Sequence, residues 1–367
     1  MRFGPAHLLE KLEIEFNLKN ILIISPAFPT ATNGLGDYSE ILGSKLAEEI
    51  DFQIFYAGLG QKESVSVKKY IEVNKKNNLN QIVKEHSINL VFLNYSNYGY
   101  QKRGVPFWLW ISLASIKKQN IAIITFFHEI YASGNFRESS FWLKPAQVFL
   151  FKKIYQLSDN VFCSNEVVLN LIQQQTEDGG VKTKNIGIFS NIPELGEFIS
   201  WDDRKPYAVV FGTLGRRNSI YKNIPLLNDF IIQNNILKIF DIGDGELNIN
   251  ESSLNIPLIK CGKISLFDIS QILAQSQWGF IDYPNKLLGK SGIFAAYCAY
   301  GLAILNFVDD TSNTTDDLIL GKNLISMSTI PRQVNGKDLS INSFNWYVNR
   351  NLNIHAHQII KTIKRRL

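Results

Sequence analysis

Short apolar runs rich in β-branched residues alternate with amphipathic segments along most of the chain. In the first half the runs predict buried strands at 20–25, 53–56, 90–94, 121–127 and 160–163. In the second half they predict strands at 208–211, 237–242, 258–262, 279–283 and 302–307. Helical patterns lie between several of them, at about 38–49, 78–86, 107–117, 145–157, 265–275 and 293–300. This alternation predicts α/β domains built on parallel sheets.

A boundary between two domains is expected in residues 192–206, which carry prolines and acidic residues and show no period. We therefore predict a first domain over 1–195 and a second over 206–341. A last segment, 342–367, has a helical pattern, and we expect it to pack back on the first domain. A chain of 367 residues is long enough for two full cores.

The segment 284–305 combines a glycine turn, a helix start, a helix end and a strand. Ser291 is suited to cap the helix, and Gly292 allows a ligand to approach the first amides. Gly301 is suited to end it in the left-handed conformation. Helix starts attract anions, and Lys290 adds a positive charge beside this one. A capped helix with a solvated lysine is the alternative.

Two further glycine turns follow the first strand of each half. Gly34, Leu35 and Gly36 precede Asp37 and a helix, but they lack the lysine and hydroxyl of a P-loop and the third glycine of the dinucleotide fingerprint. The second turn contains Gly212, Thr213 and Arg217, with Lys222 nearby. Arginine binds phosphate in a bidentate manner, so this turn predicts a phosphate site, with a solvated basic turn as the alternative.

Polar and aromatic residues follow three strands of the first half, where ligands bind in parallel sheets, and Ser164 and Asn165 follow the last of these strands. Tyr95 and Tyr98 lie in a loop rich in Tyr and Asn, which suits the faces and hydroxyls of a sugar. His128 and Glu129 end the next strand and are candidates for chemistry, although a histidine there is often structural. Arg137, among aromatic residues, is expected to face the same cleft.

Composition narrows the class of protein. Hydrophobic residues make up 45% and charged residues 19%, as in globular proteins. The net charge of +5 does not favour nucleic acid but is compatible with anionic ligands or a negative membrane surface. The three cysteines lie far apart in apolar surroundings, which argues against disulfides and a zinc site. We also expect no signal peptide and no membrane span, and hence a cytoplasmic protein.

Taken together, these motifs resemble the GT-B glycosyltransferases, in which two Rossmann-like domains face each other across a cleft, and more narrowly retaining glycosyltransferase family 4. The GLGDY sequence at 34–38, the FFHE sequence at 126–129, the turn at 211–217 and the IGDG sequence at 242–245 match the motifs of that family. The resemblance implies a nucleotide-sugar donor and no metal or other cofactor. The resemblance and the residue patterns described above together give three groups of expected site residues: catalytic His128 and Glu129; donor-binding Gly34, Leu35, Gly36, Gly212, Thr213, Arg217, Lys222, Gly262, Lys290, Ser291 and Gly292; and acceptor-side Asp37, Tyr95, Tyr98 and Arg137.

The sequence also departs from the pattern of the family. The two glutamates that contact sugar and ribose fall on Leu288 and Ala296, and the donor-turn arginine and lysine fall on Thr213 and Asn218. Lys222 is a candidate substitute for the lysine. Lys290, Ser291 and Gly292 are candidates to hold the diphosphate instead.

The resemblance implies transfer of a sugar, expected from a UDP-sugar, to an acceptor glycan during assembly of a bacterial surface polysaccharide. The alternative is a nucleotide-sugar-binding partner subunit without turnover. A GT-B epimerase or phosphorylase has no distinctive feature in this sequence. Lipid-linked acceptors suggest peripheral contact with the inner face of the plasma membrane, through the aromatic segment 107–112 and its flanking residues Lys102, Arg103, Lys117 and Lys118. Packing of Trp108 and Trp110 in the core is the alternative.

Overall fold

The computed structural model describes residues 18–28, 34–49, 51–60, 67–74, 78–131, 139–327 and 334–367. The chain forms two α/β domains, each built on one parallel sheet. Within the described residues no helix is both long and apolar enough to cross a bilayer.

Seven parallel strands form the sheet of the first domain, in the order β3-β2-β1-β4-β5-β6-β7. The strands are β1 Lys19–Ile24, β2 Phe52–Gly58, β3 Tyr70–Glu72, β4 Leu90–Tyr95, β5 Ala122–Phe127, β6 Asn160–Cys163 and β7 Thr183–Asn185. The helices are α1 Gly34–Leu46, α2 Leu79–Glu85, α3 Asn97–Tyr100, α4 Phe107–Lys117, α5 Ser139–Leu157 and α6 Glu166–Gln175.

Both faces of this sheet are covered, which explains why β1 is apolar at every position from Ile21 to Ile24. Leu22 and Ile24 pack in the core that includes α2, α4 and α5, whereas Ile21 and Ile23 pack on the side of α1. The strand order reverses at β1, which pairs with both β2 and β4. The loops after β1 and β4 therefore diverge and leave a crevice at the carboxyl edge of the sheet.

Six parallel strands form the second sheet, in the order β10-β9-β8-β11-β12-β13. The strands are β8 Lys205–Phe211, β9 Lys238–Ile242, β10 Leu258–Gly262, β11 Ser276–Ile281, β12 Ala303–Asn306 and β13 Ile325–Ser326. The helices that follow β8 are α7 Leu214–Ile220, α8 Ile224–Gln233, α9 Leu266–Gln275, α10 Gly292–Ala299, α11 Gly336–Val348 and α12 Leu352–Lys364. Here the order reverses at β8, between β9 and β11, so the loops after β8 and β11 diverge.

The end of the chain differs from the single helix predicted over 342–367. It forms two helices, because the chain turns at Asn349 and Asn351 caps α12 by accepting the N–H of Ile354. The first of them, α11, packs against α10 of the second domain, and α12 packs against α1 of the first. Buried His355 of α12 lies 2.6 Å from the hydroxyl of Tyr38, so the chain end is anchored beside the first glycine turn.

Candidate functional site

A cleft of about 1160 Å³ lies between the carboxyl edges of the two sheets and is lined by both domains. Its walls include the loops that diverge at the two strand reversals: Pro26, Gly34 and Ser96 in the first domain, and Gly212 and Tyr283 in the second. This volume exceeds the range of about 300–1,000 Å³ that is typical of small-molecule sites. The cleft is therefore large enough for a ligand that contacts both domains.

The first glycine turn forms part of the first-domain wall through Gly34, Leu35 and Asp37. Gly36 instead faces inward: a Cβ atom on it would lie 2.9 Å from the carbonyl oxygen of Ala27, so only glycine fits. The side chain of Asp37 is half-buried, and its pKa is raised to about 6 by burial and by Glu40, against the opposing effect of Lys263 across the cleft.

His128 follows β5 and lines the cleft. Its Nε2 atom lies 3.4 Å from Oδ1 of buried Asn94, whose Nδ2 donates to Oγ of Ser39. Burial, with smaller contributions from Lys290 and His355, holds the pKa of His128 well below its usual value. The imidazole is therefore neutral at physiological pH, and it is placed to exchange a hydrogen bond with a ligand.

Glu129 and Lys290 join the two domains across the cleft, with 2.9 Å between Oε1 and Nζ. Both residues line the cleft. The side chain of Glu129 is 47% exposed, whereas that of Lys290 is 17% exposed. An anionic ligand that entered here would compete with Glu129 for the ammonium group of Lys290.

The start of α10 lies beside Lys290, as the sequence predicts. Ser291 caps the helix by accepting the N–H of Phe294 at 3.2 Å. Gly292 and Ile293, whose N–H groups belong to the first turn of the helix, line the cleft. Gly301 ends the segment with φ +61°, the left-handed conformation predicted for it. Lys263, which follows Gly262 at the end of β10, adds a second cation to the same wall.

The second glycine turn lines the cleft through Gly212, Thr213 and Leu214, but Arg217 does not reach it. Its side chain, 2% exposed, forms an ion pair with Asp241, and its guanidinium also donates to the carbonyl oxygens of Gly212 and Asp244. The prediction that Arg217 contacts phosphate is therefore wrong. Arg217 instead fixes two loops that line the cleft, because a buried acid on the next strand draws it inward.

Gly243 shows how closely these two loops approach each other. It has φ +146°, and a Cβ atom on it would lie 2.3 Å from the carbonyl oxygen of Gly212 and 2.7 Å from Nε of Arg217. The glycine-rich sequence at 243–245 thus serves the packing of the two loops as well as the shape of the cleft.

Three other predicted site residues lie away from the cleft. Lys222 is exposed in a short 3₁₀ helix after α7 and is not among the residues that line the cleft. Tyr95 is fully buried in the first core. The hydroxyl of Tyr98 accepts from Nε2 of Gln147, outside the cleft lining. Arg137 lies outside the described residues.

The positions where family 4 has glutamates are buried in this chain. Leu288 and Ala296 are both 0% exposed and belong to the core of the second domain. At these two positions the chain offers no side chain to a ligand in the cleft.

Two further residues that the sequence placed at strand ends, Ser164 and Asp244, also line the cleft. Lys263 and Asn191 were not identified from the sequence, although Lys263 follows the end of β10, where ligands are expected in parallel sheets. Asn191 carries no such signal; its Nδ2 donates to the carbonyl oxygen of Gly34 at 3.1 Å, because the chain crosses between the domains there. Among the described residues, no three His, Cys, Asp or Glu side chains are grouped so that they could hold a metal ion.

Comparison with solved structures supports the architecture. The lipopolysaccharide outer core galactosyltransferase WaaB matches with a TM-score of 0.56 and 13% identity over 95% of this chain and 100% of its own. The E. coli trehalose-6-phosphate protein bound with UDP-2-fluoroglucose matches with a TM-score of 0.57 and 9% identity over 94% and 99%. The UDP-GlcNAc 2-epimerase from Methanocaldococcus jannaschii matches with a TM-score of 0.54 and 10% identity over 95% and 100%.

These likenesses confirm the GT-B fold expected from the sequence. No family model and no curated protein matches the chain. At such low identities the solved structures establish the fold, and the chemistry must be argued from the cleft itself.

Proposed function

We propose that this GT-B protein is a glycosyltransferase that binds a nucleotide sugar, most specifically a UDP-sugar, in the cleft between its domains. The observation that carries the proposal is the arrangement of the cleft. Lys290, Lys263 and the start of α10 form a cationic wall, and neutral His128 lies on the opposite domain. A diphosphate suits the first wall, and a neutral sugar suits the second.

The donor is assigned to the second domain, 206–341. Lys290 beside the first amides of α10 would bind the diphosphate, and Gly212 and Thr213 would allow its close approach. Apolar side chains of the same wall, such as Ile264, Leu266 and Ile293, would cover the nucleoside. Two of the solved structures that share this fold involve UDP-sugars: one was bound with UDP-2-fluoroglucose, and the other is a UDP-GlcNAc 2-epimerase.

The acceptor is assigned to the first domain, 1–195, with His128, Glu129 and Asp37 nearest to it. We propose that the reaction retains the anomeric configuration and needs no metal. The cationic wall would stabilise the leaving diphosphate, whose oxygen would take the proton of the acceptor hydroxyl on the same face of the sugar. No protein nucleophile is then required, and neutral His128 would hold the sugar by a hydrogen bond.

The proposed context is assembly of a bacterial surface polysaccharide by a member of family 4, in the cytoplasm and at the inner face of the plasma membrane. The motifs at 34–38, 126–129 and 242–245 support this finer assignment. The acceptor would be a glycan or a lipid-linked glycan.

A panel of radiolabelled nucleotide sugars tests the proposal. Purified protein is incubated with UDP-glucose, UDP-galactose, UDP-GlcNAc and GDP-mannose, with and without EDTA, and release of nucleotide and free sugar is measured. We expect slow hydrolysis of one UDP-sugar, insensitive to EDTA. When an acceptor glycan is supplied, the glycosidic linkage that forms should have the anomeric configuration of the donor by NMR. Absence of both binding and hydrolysis of every donor would contradict the proposal.

A second candidate, a partner subunit that binds a nucleotide sugar without turnover, is favoured by one observation. Leu288 and Ala296 are buried in the core, so both family glutamates are missing from the cleft. Saturable binding of a UDP-sugar with no hydrolysis above the rate in buffer, and no transfer when cell membranes supply acceptors, would favour this candidate over the enzyme.

A further inference from the structure

A surface of the first domain exposes large apolar side chains side by side. Helices α4 and α5 pack against each other, and we call their outer surface the α4–α5 face: Phe107, Ile111, Phe141, Trp142 and Phe149. Trp142 is 72% exposed and Ile111 is 61% exposed. The ring of Phe149 lies 6.5 Å from that of Phe107, so the two helices form one continuous patch. Soluble monomers rarely expose such patches unless they bind something.

The inner side of α4 explains why its outer side is not required for the core. Leu109, Leu113 and Ile116 are fully buried against the sheet, and Trp108 and Trp110 pack partly against the same core. The expectation that the tryptophans belong to the core is thus met in part. Phe107 and Ile111 contribute to exposed surface instead, so α4 is apolar around most of its circumference.

The charged residues within these two helices are all basic. Helices α4 and α5 contain no aspartate or glutamate, but they carry Lys117, Lys144, Lys152 and Lys153. Lys117 is engaged by Asp159 at 2.5 Å, whereas Lys144 and Lys152 are exposed. Exposed Lys102 and Arg103 precede α4. Exposed aromatic side chains and exposed cations on the same two helices match the interface of a membrane with anionic headgroups.

The position of the face relates it to the cleft. Both helices follow strands of a parallel sheet, so both begin at its carboxyl edge, where the cleft lies. Nζ of Lys144 lies 4.7 Å from the ring of Tyr131, which is two residues after cleft-lining Glu129. The aromatic end of the face is therefore next to the first-domain wall of the cleft.

We propose that the α4–α5 face docks the protein on an anionic lipid bilayer. The aromatic and aliphatic side chains would enter the headgroup region, and the lysines would lie at the level of the lipid phosphates. The mouth of the cleft would then lie close to the membrane surface. This inference rests on the surface alone and does not depend on the proposed reaction.

Flotation with vesicles tests it, with a matched pair of substitutions. Ile111→Glu places a carboxylate on the face, and Ile232→Glu places one on α8 of the second domain, where Ile232 is also 61% exposed. We expect the wild type to float with vesicles of phosphatidylcholine and phosphatidylglycerol at 7:3. We expect the vesicle-bound fraction of Ile111→Glu to be at least tenfold lower than that of the wild type, and that of Ile232→Glu to equal the wild type. Vesicles of phosphatidylcholine alone, or 1 M NaCl, should weaken the binding.

A charge-reversal pair provides a second measurement, should Ile111→Glu fold poorly. Lys152→Glu should reduce binding to the anionic vesicles severalfold, whereas Lys322→Glu, at an exposed position of the second domain, should not. A wild type that stays at the bottom of the gradient would overturn the proposal, as would Ile111→Glu floating as well as Ile232→Glu. Light scattering that showed a dimer broken by Ile111→Glu, with no vesicle binding, would also overturn it, because a second copy would then cover the face.

Discussion

Two segments of the second domain each place a cation beside a glycine, but the two cations serve different purposes. In the turn 212–217, Arg217 points into the domain and pairs with buried Asp241. In the segment 284–292, Lys290 lies on the cleft wall and pairs with Glu129 of the other domain. Their motifs look equally suited to phosphate in the sequence, yet only one of the two charges can reach a ligand.

The difference arises from the strand beside each turn. Asp241 lies on β9, next to β8, where its carboxylate meets the guanidinium of Arg217 and the hydroxyl of Tyr221. Beside Lys290 the available acid, Glu129, belongs to the opposite domain and is half exposed. A cation after a glycine turn therefore indicates a ligand site only where no buried acid of its own domain can engage it.

The largest expected effect is on the stability of the second domain. Arg217→Leu leaves Asp241 buried without its partner and should lower the free energy of unfolding by about 3–5 kcal/mol. The adjacent Arg216→Leu is the matched control: Arg216 is 46% exposed and pairs with Asp282, so its loss should be at most about 1 kcal/mol. Urea unfolding measures both.

A double variant sharpens this result. Arg217→Leu combined with Asp241→Leu removes both charges, so it should recover part of the stability lost in the single variant. If Arg217→Leu and Arg216→Leu lowered the free energy of unfolding by equal, small amounts, Arg217 would not be the residue that fixes the two loops to each other.

The next largest effect is expected on donor turnover, from His128 on the first-domain wall of the cleft. His128→Ala removes a neutral hydrogen-bonding group near the proposed sugar, so donor turnover should fall roughly ten- to hundredfold. UDP affinity should change by less than about threefold, because the phosphates lie on the other domain. His357→Ala, at an exposed position of α12, serves as the control. A loss of UDP affinity without a loss of turnover would reverse the roles of the two domains.

Asp37 in the first glycine turn is a charged residue with a smaller expected effect on stability. Since burial raises the pKa of Asp37 from 3.8 to about 6, folding favours its protonated form. The ionised carboxylate therefore lowers stability above pH 6, by about 1 kcal/mol after solvent screening, and this loss disappears as the pH falls toward 4. Asp37→Asn should raise the melting temperature at pH 7.5 but not at pH 4.

Exposed Asp203→Asn is the control for that measurement. A melting temperature of Asp37→Asn that is no higher than that of the wild type at pH 7.5 would contradict the unfavourable burial of this carboxylate.

The smallest expected effect is on UDP affinity, when the ion pair between Glu129 and Lys290 is removed. Glu129→Gln frees Lys290 for an anion, so UDP should bind about two- to threefold more tightly at low salt, as expected for a partly exposed ion pair. The gain should vanish in 0.5 M NaCl. Glu251→Gln is a matched control, because Glu251 is also 47% exposed and pairs with a lysine, Lys260, outside the cleft. Weaker UDP binding by Glu129→Gln would mean that Glu129 assists the ligand.

Much of the fold could be predicted because parallel sheets buried on both faces leave strong apolar runs. All ten predicted strands are present, with ends that differ by up to three residues. The strands that escaped prediction, β3, β7 and β13, have only two or three residues and lie at sheet edges, where the apolar signal is weak. The break between α11 and α12 was missed, although two asparagines stand there: Asn349 ends α11 and Asn351 caps α12.

The site was harder to predict than the fold. Backbone positions such as Ser291 and Gly301 could be inferred because capping and left-handed geometry restrict the residue type. The directions of long side chains could not, since Arg217 turns toward an acid twenty-four residues away and Tyr95 points into the core. Contacts between the domains, such as that of Asn191 with Gly34, leave no local pattern at all.

Calorimetric titration of UDP into wild type, Lys290→Ala and Lys222→Ala tests the central claim most directly, namely that Lys290 provides the cation for a diphosphate in the cleft. A charge-assisted hydrogen bond is worth about 1.5–3 kcal/mol, so Lys290→Ala should bind UDP about tenfold or more weakly. Lys222→Ala should bind like the wild type, because Lys222 lies outside the cleft lining. UDP binding by Lys290→Ala at wild-type affinity, or a tenfold loss in Lys222→Ala, would contradict the claim.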